Sequence, residues 1–193
     1  MQEREIEFKN LLTKTEYTAL LAHFKTAAAT TITQTNSYFD TPDYQLKEQH
    51  CGLRIRTFAT KQNELTLKSP LPVGLLETTA FLSDEQTNDI LAGSPLPQGE
   101  VYDALIARGI DPQAIVCFGS LTTERIECSY QSGLLVLDHS RYLGQEDYEI
   151  EFEVPDEQIG QLEFNALLEA FSIKQQPTSN KVARFYQALK EVN

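Results

Sequence analysis

A chain of 193 residues that is 41% hydrophobic can bury a core without disulfides and suits one domain of ordinary size, residues 1–193. Sixteen Lys and Arg against 28 Asp and Glu leave a net charge of −12, which argues against a sequence-independent nucleic-acid binder or a basic membrane-surface protein. Cys51, Cys117 and Cys128 are odd in number and lack CxxC spacing, no apolar h-region follows Met1, and no stretch approaches the roughly 18 apolar residues of a membrane span, so a cytoplasmic setting is expected.

In chain order, period-2 alternation first predicts a strand over 3–11. Thr13 with Glu16 is a capping-box signature that opens a helix through Tyr17, Leu20, Leu21 and Phe24. Strands are then expected over 32–40, 53–60, 64–69 and 77–82, followed by a short helix opened by Ser83 with Gln86 and ending at Gly93. A helix over 100–108 stops at Gly109, strands follow over 121–130, 134–142 and 148–154, and helices over 162–171 and 180–191 end the chain. Turns as short as Gln131 to Gly133 imply antiparallel pairing, since a parallel pair needs a long crossover. The expected class is α+β, with about eight strands.

Residues two apart on a strand share a face. Glu5, Glu7 and Lys9 lie opposite Ile6 and Phe8, Arg54 and Arg56 opposite Leu53 and Ile55, and Glu64, Thr66 and Lys68 opposite Leu65 and Leu67. Later, Arg125 and Glu127 lie opposite Ile126 and Cys128, and Glu149, Glu151 and Glu153 opposite Ile150, Phe152 and Val154. Any one of these faces reads as the solvated side of an antiparallel sheet. Together they set like charges side by side, which repel unless an ion or ligand intervenes. A sheet that curls until it closes turns such faces into the lining of a tunnel, which at about eight strands holds side chains or one small ligand. A polyphosphate with a divalent cation satisfies both signs of charge, because guanidinium forks bind phosphate oxygens and Mg²⁺ takes carboxylates, phosphate oxygens and waters.

The segment Glu5-Ile6-Glu7-Phe8-Lys9 matches the ExExK signature of the CYTH superfamily, the triphosphate tunnel metalloenzymes, and the chain resembles that family further. The likeness continues through Tyr38-Phe39-Asp40-Thr41-Pro42, Leu53-Arg54-Ile55-Arg56, Leu65-Thr66-Leu67-Lys68, Glu77, Arg125, Asp138, Glu149-Ile150-Glu151 and Ser179-Asn180-Lys181. The resemblance implies a closed eight-stranded antiparallel β-barrel, or tunnel, with helices packed outside, a small-molecule triphosphate as substrate, and Mg²⁺ or Mn²⁺. It also implies the site. Glu5, Glu7, Glu149 and Glu151 match metal-binding carboxylates, and Asp138 joins them, either at a second metal or holding an arginine. Lys9, Arg54, Arg56, Lys68 and Arg125 match phosphate clamps. Glu77 and Tyr38, with Lys9, are candidate catalytic groups, although a tyrosine in a strand also serves as packing. Glu153 continues the acidic face but lies outside the matched pair and is left out of the site.

Lys181 stands in the first turn of the expected last helix, where the macrodipole disfavours a cation, so a phosphate there explains it as well as an exposed surface position does. Arg184, three residues on, can point to a similar side and reads equally as a phosphate-binding group or as a surface residue. His23, His50 and His139 show no metal spacing, and no P-loop, GxGxxG or GxSxG pattern occurs. The function these observations favour is metal-dependent hydrolysis of a terminal phosphoanhydride. Two alternatives stay open: a class IV adenylate cyclase that converts ATP to cyclic AMP and pyrophosphate, and a polyphosphate- or nucleotide-binding module without turnover. The cyclase differs in its adenine contacts, which the sequence does not display.

Overall fold

The structure is a computed structural model and describes residues 1–25 and 29–192. Its strands are β1 (Gln2–Glu5), β2 (Glu7–Leu12), β3 (Thr30–Asp40), β4 (Gly52–Phe58), β5 (Asn63–Pro70), β6 (Leu75–Leu82), β7 (Val116–Tyr130), β8 (Gly133–Tyr142) and β9 (Gln145–Glu153). They hydrogen-bond in the order β1-β6-β5-β4-β3-β7-β8-β9-β2. The helices are α1 (Lys14–Phe24), α2 (Gln45–Glu48), α3 (Asp84–Leu91), α4 (Glu100–Ile106), α5 (Glu157–Ala170) and α6 (Lys181–Val192). Both capping boxes form. Glu16 N donates to Thr13 Oγ1 at 3.2 Å while Thr13 N donates to Glu16 Oε2 at 2.7 Å, and Ser83 and Gln86 exchange the same pair of bonds at 3.1 and 2.9 Å.

The α+β class and antiparallel pairing stand, and the described residues form nine strands, close to the about eight expected. The expected strand over 3–11 is cut at Ile6: β1 pairs with β6, whereas β2 pairs with β9. The alternation Glu3, Glu5, Glu7, Lys9 runs through the cut without interruption, so no local signal marks it. Long-range pairing does, with the Ile6 carbonyl accepting from Val154 N at 2.9 Å. Helix α5 begins earlier than 162, because Asp156 Oδ1 accepts from Ile159 N at 2.9 Å and caps an additional turn. Helix α2 carries too few residues for a periodic signal; the Asp40 carboxylate anchors it by accepting from Thr41 N, Leu46 N and Lys47 N at 2.8, 2.9 and 3.1 Å.

The chain divides into two compact units, Met1–Arg4 with Gln34–Leu121, and Glu5–Thr33 with Thr122–Asn193. In the first, Leu53 and Ile55 of β4 and Leu65 and Leu67 of β5 form a buried core with Ile90 of α3 and Val101 and Leu105 of α4. Each such side chain contributes about 1.5 to 3 kcal/mol on leaving water. A register slip of one residue would exchange that face for the charged one, so the apolar set fixes where the arginines point.

In the second unit Ile126, Leu135, Leu137, Ile150 and Phe152 are buried, with α1 lying on β8 and β9 and α5 on β2 and β9. Helix α5 approaches closely at Gly160, where an added Cβ would meet Val154 Cγ2 at 2.5 Å. Among the described residues no helix is long and apolar enough to cross a membrane.

Candidate active site

The second unit holds most of the carboxylates picked out in the sequence. Cross-strand register sets Arg125, Asp138 and Glu149 in one row of β7, β8 and β9, Lys9 opposite Glu151, and Glu7 opposite Glu153, so all share a face. The Arg125 guanidinium grips Asp138 with Nε to Oδ1 at 2.8 Å and Nη2 to Oδ2 at 2.7 Å, and Nη2 also donates to Glu151 Oε2 at 2.7 Å. Lys181 reaches the same carboxylates from α6. Its Nζ lies 2.9 Å from Asp138 Oδ2 and 2.5 Å from Glu149 Oε1, and it donates to Glu151 Oε1. Arg184 donates from Nε to Asp147 Oδ2 at 2.9 Å and places Nη1 2.5 Å from Glu149 Oε2, while Tyr142 OH donates to Asp147 Oδ2 at 2.8 Å. Lys9 pairs with Glu7.

Burial makes these charges interdependent. It alone would drive the Lys181 ammonium and the Arg125 guanidinium toward neutrality, but Asp138 and Glu151 hold both well above their ordinary values. Against burial, Arg125 and Lys181 hold Asp138 low, and Lys181 and Arg125 hold Glu151 well below the usual carboxylate range. Glu149 goes the other way: burial, with Glu151 beside it, pushes it up to about 7 despite Lys181. Burial likewise lifts Glu153 to about 7 against the pull of Arg125, with Glu151, Glu7 and Glu5 adding to the rise.

Two trios of carboxylates converge, Glu5 with Glu7 and Glu153, and Asp138 with Glu149 and Glu151; in each, one oxygen per residue lies within 4.8 Å of the others. The partly exposed first trio fits a hard divalent cation, since it supplies only oxygen donors and leaves room for water. The buried second trio already encloses the Lys181 ammonium, so a cation centre there is filled by the chain itself. Glu153 belongs to the first trio although the sequence analysis set it aside. Its alternation with Glu149 and Glu151 was a signal for it, but only the pairing of β2 with β9 sets it opposite Glu7. Asp147, two residues before Glu149, was passed over in the same way as the partner of Arg184.

The first unit holds Tyr38, Arg54, Arg56, Lys68 and Glu77. Tyr38, Arg54, Thr66 and Thr79 stand in one row across β3 to β6, and Lys68 is opposite Glu77. Lys68 pairs with Glu77, and Arg56 Nε donates to Asn36 Oδ1 at 3.0 Å. Although burial acts to raise it, Glu77 is held below its ordinary value by Lys68, Arg54 and Arg56. The Arg54 Nε is buried without a hydrogen-bond partner among the described residues. A buried donor left unpaired is costly unless a ligand accepts from it, and phosphate oxygens suit a guanidinium. The Tyr38 ring is buried and stacks on Phe118, centroids 6.2 Å apart and planes at 18°.

Comparison with known proteins agrees with this geometry. Residues 3–186 match the CYTH domain family. The chain is 49% identical over 186 residues to the Bacillus subtilis (strain 168) protein named "Putative triphosphatase YjbK", with 96% of each chain covered. A crystal structure from Bacillus halodurans, described as "a putative adenylate cyclase", superposes with a TM-score of 0.90 at 43% identity and covers 96% of this chain and 98% of its own. The Hippeastrum protein HpAC1, described as a "putative adenylyl cyclase" that "reveals a dominant triphophatase activity", shares the fold at a TM-score of 0.81 and 24% identity, with 95% of each chain covered. The match runs through both charged faces and nearly the whole length, and the chain belongs to the CYTH family.

Proposed function

We propose that the protein is a triphosphatase that hydrolyses the terminal phosphoanhydride of inorganic triphosphate or of an organic triphosphate in the cytoplasm, dependent on Mg²⁺ or Mn²⁺. The observation that carries this reading is the convergence of Glu5, Glu7 and Glu153. Binding a polyphosphate needs cations alone, whereas an all-oxygen trio serves the divalent cation that accompanies phosphoryl transfer. The naming of the 49% identical relative as a triphosphatase supports it.

In this reading Glu5, Glu7 and Glu153 hold the cation, which when bound neutralises charge on the phosphate oxygens. Arg54, Arg56 and Lys68 are the first unit's donors to phosphate oxygens, and Glu77 holds the Lys68 ammonium in position. Lys9 pairs with Glu7 and orients that carboxylate. Arg125 and Lys181 keep Asp138 and Glu151 ionised, and Lys181 and Arg184 hold Glu149 in place; a direct part in phosphate or metal binding for these groups requires them to exchange the partners they hold here. Tyr38 packs its ring on Phe118 in the row that carries Arg54.

A second reading is the cyclase, favoured by the description of the Bacillus halodurans relative. Incubation with inorganic triphosphate, ATP and thiamine triphosphate in Mg²⁺ or Mn²⁺, with products resolved, separates the two. Orthophosphate release is the expected result. Cyclic AMP with pyrophosphate would replace the proposal by the cyclase, and saturable binding without products would replace both by a binding module.

A further inference from the structure

The charged face of the first unit is not charged throughout. Along β4 the residues that share it are Arg54, Arg56 and Phe58, and along β6 they are Glu77, Thr79 and Phe81. Register confirms the face: Phe81 is opposite Glu64, Glu64 is opposite Arg56 and Arg56 is opposite Asn36, while the next residue, Leu82, turns into the core. Phe81 therefore lies in the Arg56 row and Phe58 one step past it on the same face, both toward the same end of their strands. Phe81 is 52% exposed, and Phe58 is half-buried with Lys61 Nζ over its ring at 5.5 Å from the centroid. An exposed phenylalanine on the polar side of a sheet gives no core packing.

Spacing makes the placement chemically specific. Arg56 and Phe81 are two strands apart in one row, roughly 10 Å at about 4.8 Å per strand. The sugar and first phosphate of a nucleotide bridge such a gap. Between them on β5, Glu64 can accept from an exocyclic amine. We infer that Phe58 and Phe81 form an aromatic platform for the planar ring of an organic triphosphate whose phosphates meet Arg54 and Arg56. This inference rests on the triphosphate reading and narrows its substrate class to triphosphates that carry an aromatic group.

The test measures affinity by calorimetry in Mg²⁺ for three ligands: adenosine 5′-(β,γ-imido)triphosphate, ribose 5-triphosphate and inorganic diimidotriphosphate. Wild type should prefer the adenosine compound. Phe81→Ala, a change at an exposed position, should weaken that compound at least about fivefold and leave the two ring-free ligands within about twofold, as expected for loss of one stacked ring. Phe58→Leu, which keeps apolar volume but removes the π-face, should act in the same direction, and Phe81→Trp should retain wild-type preference. Equal affinity of wild type for all three ligands would overturn the platform while leaving triphosphate binding intact. Equal weakening of all three in Phe81→Ala, or no selective weakening in either variant, would do so as well. Wild type that binds none of the three would overturn the triphosphate reading and the platform with it.

Discussion

The two units use one device with opposite charge balance. Each presents a charged face of antiparallel strands whose other face packs under helices. In the second unit the network around Lys181 is sequestered: Asp138 and Glu149 are 0% exposed, and Arg125, Lys181 and Arg184 form ion pairs with them from within the chain. In the first unit the cations are half-buried, and the buried Arg54 Nε has no hydrogen-bond partner among the described residues. Dry charges must be neutralised internally, so the acidic network doubles as part of the fold. Half-wet cations tolerate a missing partner until a ligand arrives. The comparison therefore predicts that deletions in the buried network of the second unit are read first as stability and deletions of the first unit's cations as activity.

The largest expected effect is that of Lys181→Ala. The macrodipole taken alone predicts a slight stabilisation, since a cation at a helix N-terminus is disfavoured. The structure reverses the sign, because the substitution leaves three buried carboxylates around the vacated ammonium. Breaking such a buried network costs about 3 to 5 kcal/mol, which for a chain of this size lowers Tm by on the order of 10 °C. Thermal melts check it, and excess Mn²⁺ should recover part of the loss by replacing the missing cation among Asp138, Glu149 and Glu151. Lys190→Ala, which removes the same charge at the far end of α6, is the control. A Tm within a degree of wild type for Lys181→Ala would erase the distinction between the units.

Arg54→Ala and Arg56→Ala should show the converse behaviour. Each should lose roughly 2 to 4 kcal/mol of transition-state stabilisation in kcat/KM, the range for a charge-directed donor, with little change in Tm. Steady-state kinetics with inorganic triphosphate check this; a rise in KM with unchanged kcat would make the arginines uniform binders that do not act on the reaction.

Glu7→Gln and Glu153→Gln are nearly isosteric and remove one anionic donor each from the partly exposed trio. Metal titration followed by activity should show at least about tenfold weaker activation by Mg²⁺, with the fold retained. Glu5→Gln should behave alike. Activity within about twofold of wild type at limiting Mg²⁺ in all three would remove the trio from metal binding.

The smallest effect is a pH slope. Glu149 and Glu153 have folded values near 7 against an ordinary 4.5, so between those values the folded chain binds more protons than the unfolded one. Their contribution is full below 4.5 and lost as pH rises through 7, so the Tm without metal should fall across that window. Asp138 and Glu151, both held low, act in the opposite sense, but their stabilisation is lost only as pH falls below the ordinary carboxylate range. Melts of wild type and Glu153→Gln across the window check the slope, which should be shallower in the variant and should diminish when a divalent cation favours the ionised forms.

Strand alternation, two capping boxes and short turns determined the α+β class and the faces that carry charge, because these depend on spacing along the chain; Tyr38, Glu77 and Asp138 were picked out by the resemblance to the CYTH family. Tertiary structure decided what spacing cannot express. An unbroken alternation is cut at Ile6 because β6 and β9 claim its two halves; Glu153 converges with Glu5 and Glu7 because β2 pairs beside β9; and Lys181, a misfit by helix electrostatics, is held by carboxylates from β8 and β9. Each of these rests on contacts between residues far apart in sequence, and a burial that changes both the sign and the size of a charge's effect.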